Sequence, residues 1–469
     1  MTIDLIIKNG TVVFNGNVLK TDIAINDGKI VKIGSKNHFP NAERVINAEG
    51  KFVFPGAIDT HTHFEQPFMG EVPPETWDQG TMAAAFGGNT MYIDFVVQEH
   101  GKSLLDAVKT KVSYVNALSA IDFSFHACFT DFSDIDAVKA EVRKIIEYGI
   151  PSFKEYMTYR KEGYFVNDWE LYQVLLEVRK FGGIVGVHAE NAFIGDALIE
   201  KFLKEGKKAP KYHPLAKPNF VEAEAIQRAI AIANFAGARL YFVHVSTKEG
   251  VHLIREARCR GEPIFAETCP HYLTLTDDVY SRPDGINYII SPPLRKEDDI
   301  KALWSGLSDG TIQVTGTDHI AYTSEQKRKH SENFASVPNG AAGVELRLPI
   351  IYSEGVKKGR ISLIKMVDIC STNAAKLFGL YPKKGTILPG SDADIVIFDP
   401  KIEKTITVED LHMGTDYTIY EGMKVTGWPI MTILRGKIIV ENGSYLGKKG
   451  DGSFIKGKII DEIIDTLRS

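Results

Sequence analysis

The strongest constraint in this chain is an alternation. Eight short apolar runs, mostly rich in β-branched or aromatic residues, recur between Phe52 and Gly316 with helix-like stretches between them. The runs are Phe52 to His61, Thr90 to Phe95, Phe123 to Phe129, Ser152 to Met157, Ile184 to His188, Leu240 to Val245, Pro263 to Glu267 and Ile312 to Gly316. Helical periodicity fills Ser103 to Leu118, Ile135 to Tyr148, Trp169 to Phe181, Glu222 to Ala236 and Lys248 to Arg260. Runs that are apolar throughout suit strands buried on both faces, and such strands joined by helices are parallel. Eight of them predict a (β/α)₈ barrel over residues 55–378.

Both flanks have a different texture. Leu5 to Ile7, Thr11 to Phe14, Ile23 to Ile25 and Ile30 to Ile33 are short β runs broken by Asn-Gly and Asp-Gly turns. After the helix-like Ile361 to Leu377, β texture returns in Asp394 to Phe398, Thr405 to Thr407, Tyr417 to Ile419 and Met431 to Val440. Residues 1–54 and 379–469 are therefore expected to pair into one small β-sandwich beside the barrel, in an α/β fold overall. Ile459 to Leu467 resembles an amphipathic helix that could serve a subunit interface or equally pack on its own barrel.

Charge narrows the partners. The 55 basic and 60 acidic residues are mixed along the chain for a net charge of -5, which leaves no electrostatic footprint for nucleic acid or a membrane surface. A small molecule is the expected partner. The four cysteines fall at wide spacings that suit neither a disulfide framework nor a thiolate zinc site, which favours a reducing cytoplasm. The opening from Met1 to Gly10 lacks a basic flank and long apolar core, and no stretch approaches about 18 uninterrupted apolar residues.

The ends of the runs carry the chemistry. In an extended strand every second side chain faces the same way, so His61 and His63 can share a metal ion, with Asp59 one step back on that face. A turn or a satisfied core pair would look the same. Position decides between them: His188 closes the fifth run, His244 sits near the end of the sixth, and Asp318 follows the eighth. The C-terminal strand ends of such a barrel meet at one mouth, so four histidines and an aspartate converge there. Imidazole and carboxylate without thiolate favour Zn²⁺ ahead of Mn²⁺, Co²⁺ or Fe²⁺. Five such donors exceed what one catalytic ion uses and point to two ions sharing a bridge. Lys154, in the fourth run, would stand inside the ring as an ammonium beside two cations. Two readings of it remain, a salt-bridged barrel lysine or a lysine converted by CO₂ to a carbamate.

These segments resemble one family. Asp59-Thr60-His61-Thr62-His63, Ser152-Phe153-Lys154, His188-Ala189-Glu190-Asn191, His244-Val245-Ser246, Glu267-Thr268-Cys269-Pro270, Ser291-Pro292-Pro293-Leu294-Arg295 and Gly316-Thr317-Asp318-His319 occur in the order seen in the dihydropyrimidinase/hydantoinase family of cyclic amidohydrolases. Gly385 to Asp394 is similar to that family's return into its small β domain. The resemblance spans essentially the whole chain. It implies a hydrolase that opens 5-substituted hydantoins or dihydropyrimidines to N-carbamoyl amino acids. It also implies two divalent ions, zinc first among them, with His61, His63 and Asp318 on one, His188 and His244 on the other, and Lys154, as N6-carboxylysine, shared. Asp318 would carry a proton from the attacking water to the departing ring nitrogen, and Tyr159 would hydrogen-bond the developing oxyanion. Ser291 and Asn339 match positions that grip the ring amide, largely through backbone groups. Phe64, Phe68, Tyr156 and Tyr164 lie in two loops expected to line the ring substituent. The family's habit of assembly implies a homotetramer.

Some positions depart from the family pattern. Dihydroorotases carry an arginine just after the second histidine, where this chain reads Phe64-Glu65-Gln66, which argues against an acidic ring. Thr158 to Tyr164 differs from the usual Ala-Tyr-Lys continuation, and Glu155 replaces an apolar residue. Two further readings stand beside the main one. Allantoinase is echoed by Glu65-x-Pro67 and Thr76-Trp77, while a non-catalytic scaffold of the same fold is opposed by the six intact metal positions.

Overall fold

The computed structural model describes residues 3–34 and 41–468; Met1 and Thr2, the head of the segment read for a leader, lie outside them. Eight parallel strands run in chain order around a barrel: Ala57–Thr62, Asn89–Val97, Asp122–Cys128, Ser152–Tyr156, Ile184–His188, Leu240–Phe242, Ile264–Thr268 and Val314–Thr315. Around them lie helices that include Leu104–Asn116, Ile135–Tyr148, Asp168–Lys180, Asn219–Ala236 and Lys248–Cys259, each within a few residues of its periodic stretch. Their starts are fixed locally. Ser103 and Asp134 accept from backbone N–H groups of the first turn, and Asn167 with Glu170 forms a capping box.

The ring closes where the last strand meets the first. His319 N donates to His61 O at 3.3 Å and His63 N to His319 O at 2.8 Å. Buried Asp59 accepts from Thr317 N at 3.1 Å and from Thr317 Oγ1 at 2.8 Å. Asp59 is thus tied into the seam, where its carboxylate also accepts from His61 N at 3.2 Å, and it does not line the cavity that the His61 and His63 side chains enter.

Phe52 to His61 is two strands. Phe52–Pro55 pairs antiparallel with Ile395–Thr405 in the second sheet, and only after Gly56 does the barrel begin. A Cβ on Gly56 would fall 2.0 Å from Thr90 Oγ1, so the crossing needs glycine. Leu5 to Ile7 and Thr11 to Phe14 merge into Ile3–Phe14 through an irregularity between Ile7 and Gly10. Tyr417 to Ile419 forms no strand, and Met431 to Val440 spans the hairpin of Lys424–Leu434 and Lys437–Glu441.

Both ends of the described chain enter one nine-stranded sheet, in which Phe52–Pro55 lies between Ile3–Phe14 and Ile395–Thr405. The far edge folds back: Ile30 N donates to Ser391 O at 3.0 Å and Ala393 N to Gly28 O at 2.8 Å. Between the layers lie Leu5, Ile7, Ile23, Val53, Ile395 and Ile433, all buried. Lys384 joins this unit to the barrel floor, with Nζ 2.5 Å from Asp122, 2.6 Å from Asp394 and 2.9 Å from Asp392. The terminal helical stretch is short, Asp461–Ile464 with one further turn, and Ile464 and Leu467 pack with Leu377 and Phe378 of the same chain. Its apolar side is therefore already covered. No helix among the described residues is long and apolar enough to cross a membrane.

Candidate active site

The C-terminal strand ends surround a partly open cavity lined by histidines, tyrosines and Asp318. His61 and His63 enter it past a register irregularity between Asp59 and Thr62, which bends the rim of the first strand. Lys154 points in from Ser152–Tyr156, and His188 from the last position of Ile184–His188. His244 lies two residues beyond Leu240–Phe242 and Asp318 three beyond Val314–Thr315. All six sequence-derived metal positions line one wall.

Two lobes are visible in that wall. His61 Nε2 and His63 Nε2 each lie 3.1 Å from Asp318 Oδ1, and ligand atoms of these three residues all fall within 4.8 Å of one another, a group able to hold a metal ion. The His188 and His244 rings form the other lobe, their centroids 4.4 Å apart and His244 5.3 Å from His61. Lys154 Nζ is buried without a hydrogen-bond partner, 4.7 Å from the Tyr156 ring centroid and 5.2 Å from that of Phe95. The salt-bridged reading of Lys154 fails here, since it makes no ion pair among the described residues.

The outward nitrogens of three imidazoles are already engaged. His61 Nδ1 meets Glu267 Oε1 at 2.8 Å, His63 Nδ1 meets Gln66 Oε1 at 3.3 Å, and His188 Nε2 meets Glu190 Oε2 at 2.7 Å. Partners of this kind orient an imidazole and leave its other nitrogen for a metal. His244 Nδ1 is buried and has no partner. The donor set therefore fits the metal that its chemistry calls for.

Electrostatics agrees with that fit. Burial depresses His61, but Asp318 and then Glu267 outweigh it and push the imidazole up to about 9. Burial works to raise Asp318, yet His61 and His63 hold its carboxyl well below the usual range. Two anions facing one buried imidazole demand a positive charge, which a proton or a metal cation can supply. Burial pulls His188 down to about 4, which leaves its imidazole neutral with a free lone pair, and pulls Lys154 down to about 8, which enlarges the share of free amine over that of an ordinary lysine.

Tyr159, Ser291 and Asn339 line the same cavity. Burial and then Glu190 push the Tyr159 hydroxyl well above its ordinary value, while Ser291 and Asn339 stand close enough to oppose the shift. Ser291 Oγ donates to Glu190 Oε2 at 2.8 Å and accepts from Lys217 Nζ at 2.5 Å, so its backbone is what remains for a ligand. Tyr159, His244 and Asp318 have φ of 60°, 39° and 51°. Left-handed backbone at residues other than glycine costs about 1–3 kcal/mol each and is held only by tightly packed surroundings.

A model of the amidohydrolase family matches residues 52–439. A D-hydantoinase of Geobacillus stearothermophilus is 43% identical over 454 residues, covering 96% of this chain and 96% of its own length. The chain belongs to the amidohydrolase family. A D-hydantoinase of Ralstonia pickettii is 43% identical over 97% of the chain and 98% of its own length. The solved structure of a dihydropyrimidinase from Brevibacillus agri NCHU1002 is similar with a TM-score of 0.94 at 42% identity, over 97% of this chain and 99% of that one. This amidohydrolase thus falls in the hydantoinase/dihydropyrimidinase group and is a cyclic amidohydrolase.

The loops of the amidohydrolase differ in part from the sequence expectation. Phe68, Tyr156 and Tyr164 line the cavity, but Phe64 turns into the core, with ring centroids 5.4 Å from Trp77 and 5.2 Å from Tyr92. Glu65 accepts from Trp77 N at 2.7 Å and from the Tyr114 hydroxyl at 3.0 Å, which gives the allantoinase-like residues a structural occupation. Glu155 is buried on the face of its strand opposite Lys154, and burial holds its unpartnered carboxyl well above its ordinary value. Sequence reasoning assigned no role to Glu267, Glu190, Gln66 or Lys217. The two glutamates stood inside the quoted motifs, each at or beside a strand end, and that was the available signal. Lys217 lies between helices, where no periodic cue marks it.

Proposed function

We propose that this amidohydrolase opens 5-substituted hydantoin or dihydropyrimidine rings to N-carbamoyl amino acids with two divalent metal ions, zinc in the first instance. The observation that carries this reading is the orphaned Lys154 Nζ, buried in the same cavity as four histidines, three of which already have one ring nitrogen engaged. His61, His63 and Asp318 would hold one ion, His188 and His244 the other, and Lys154 both. For that, the neutral Lys154 amine adds to the carbon of CO₂ and loses a proton, giving a carbamate with two oxygens and a negative charge. When bound, the ions polarise the amide carbonyl and lower the pKa of water from about 15.7 towards neutrality.

The chain's own groups do the rest. Asp318 takes a proton from the attacking water and returns it to the ring nitrogen, which leaves poorly unless protonated. The Tyr159 hydroxyl, kept protonated by burial, donates to the carbonyl oxygen as negative charge grows on it. Backbone groups at Ser291 and Asn339 hold the ring amide. Phe68, Tyr156 and Tyr164 favour an apolar or aromatic substituent, and Gln66 offers no countercharge to an acidic one. The names of the D-hydantoinase relatives support the D series. Outer helices expose Trp169, Phe193, Phe220 and Phe235, the last 80% accessible, which supports assembly into a homotetramer. The four unpaired cysteines fit a cytoplasmic setting.

Metal-loaded protein should open dihydrouracil or a 5-aryl hydantoin, followed by the appearance of the N-carbamoyl product. Turnover of allantoin or dihydroorotate with neither of those rings opened would refute the reading.

A further inference from the structure

Lys327 is buried with no acid to meet it. It lies in the short helix Ser324–Lys329, in the connection after the eighth barrel strand, and is 0% exposed. Its Nζ donates to Ile289 O at 2.7 Å and to Gly340 O at 2.6 Å, and it makes no ion pair among the described residues. Burial alone pulls the amine down to about 7. An uncompensated buried amine is costly, and an apolar side chain of similar length would fill the space without that cost. What such a side chain lacks is donors for two carbonyls.

Those carbonyls belong to the segments that carry Ser291 and Asn339. Ile289 precedes Ser291 by two positions and Gly340 directly follows Asn339. Gly340 N also donates to Ile289 O at 3.1 Å, so both segments and the lysine meet at one oxygen. Gly340 has φ of 137°, and a Cβ there would fall 1.9 Å from Ile320 Cγ2, so this path is open to glycine alone.

We propose that Lys327 is a positioning residue for the substrate: its amine pins Ile289 O and Gly340 O together and so sets the spacing of the Ser291 and Asn339 backbone that brackets the ring amide. The proposal rests on the reading that these two segments grip the ring. Lys327 is not among the residues that line the cavity. Charged or neutral, an amine keeps at least two N–H donors, so the clamp does not depend on its proton.

The test is Lys327→Met in the full-length, metal-loaded enzyme, assayed beside the parent on dihydrouracil and 5-phenylhydantoin. KM should rise about tenfold while kcat changes less than about threefold, with metal content as in the parent. Lys327→Gln, which keeps two N–H donors on a shorter arm, should give a KM between the two. A methionine variant with the parent's KM overturns the proposal, and so does a fall in kcat that tracks lost metal, because that marks a general brace. Should the methionine variant fail to fold, the glutamine variant decides: a raised KM with parental kcat supports the clamp, and a parental KM or lost metal overturns it. A parent enzyme that opens neither ring would instead defeat the functional reading itself.

Discussion

Glu267→Gln separates charge from geometry at the centre of the site. The Glu267 carboxylate is 0% exposed and receives four donors: Thr60 Oγ1 and the Tyr241 hydroxyl on Oε2, and His61 Nδ1 and His244 N on Oε1. A glutamine can turn its NH₂ towards the two hydroxyls, which rotate to accept, and keep its oxygen for His61 and His244. The contacts survive, and His61 loses one of the two anions that raise its pKa. Loss of such a partner typically weakens metal binding or activity about 10–100-fold, roughly 1.4–2.7 kcal/mol. Glu267→Ala is a different perturbation. It orphans four buried donors at about 1–3 kcal/mol each, a sum comparable to the whole stability of a domain, about 5–15 kcal/mol. The assay is metal retained per chain after dialysis against a graded chelator, read beside turnover and soluble yield. Glutamine should fold and bind metal more weakly; alanine should fail to accumulate. A glutamine variant with parental metal retention and turnover, or an alanine variant at parental yield, would refute the reasoning.

Lys154→Ala should lose metal and turnover together, and short carboxylic acids should restore some of both by standing where the carbamate oxygens would be. Two metals per chain and full turnover in that variant, with no added acid, would end the bridging idea. Lys327 also predicts a pH effect on stability. Its folded pKa, about 7, lies below the ordinary lysine value, so between the two the unfolded chain binds more protons and stability rises with pH. The thermal midpoint of the parent should therefore gain on that of Lys327→Met as pH is raised from about 7 towards 10. A difference that stays flat across that range would contradict the burial argument.

The convergence of four histidines and Asp318 on one cavity was legible because a barrel gives strand ends a shared address. Once the runs were recognised as parallel strands, His61, His188, His244 and Asp318 had nowhere else to meet. The break at Gly56 was not legible, since Phe52 to His61 is apolar on both sides of it and the partner that claims Phe52–Pro55 lies far along the chain. The strand Ala42–Asn47 was missed because its residues are largely exposed and it carries no β pattern of its own. Phe64 was placed in the cavity by its nearness to His63, but period-2 reasoning ends with the strand, and the loop that follows sends it to Trp77. Lys154 was ambiguous until its surroundings were known, because only they show that no carboxylate meets it.

The sheet that joins the two ends of the chain sets a timetable for synthesis. Lys51 pairs with Asp399, 348 positions later, and Lys29 with Asp392, 363 positions later. At about 5–20 residues per second, the N-terminal strands leave the ribosome roughly 20–70 s before those partners exist. Throughout that interval the edge of Phe52–Pro55 that will pair with Ile395–Thr405 stays open, and the apolar residues Leu5, Ile7 and Ile23, still without Ile395 and Ile433, face water or a chaperone. The barrel, whose neighbours are consecutive in the chain, can assemble strand by strand while the first fifty residues wait.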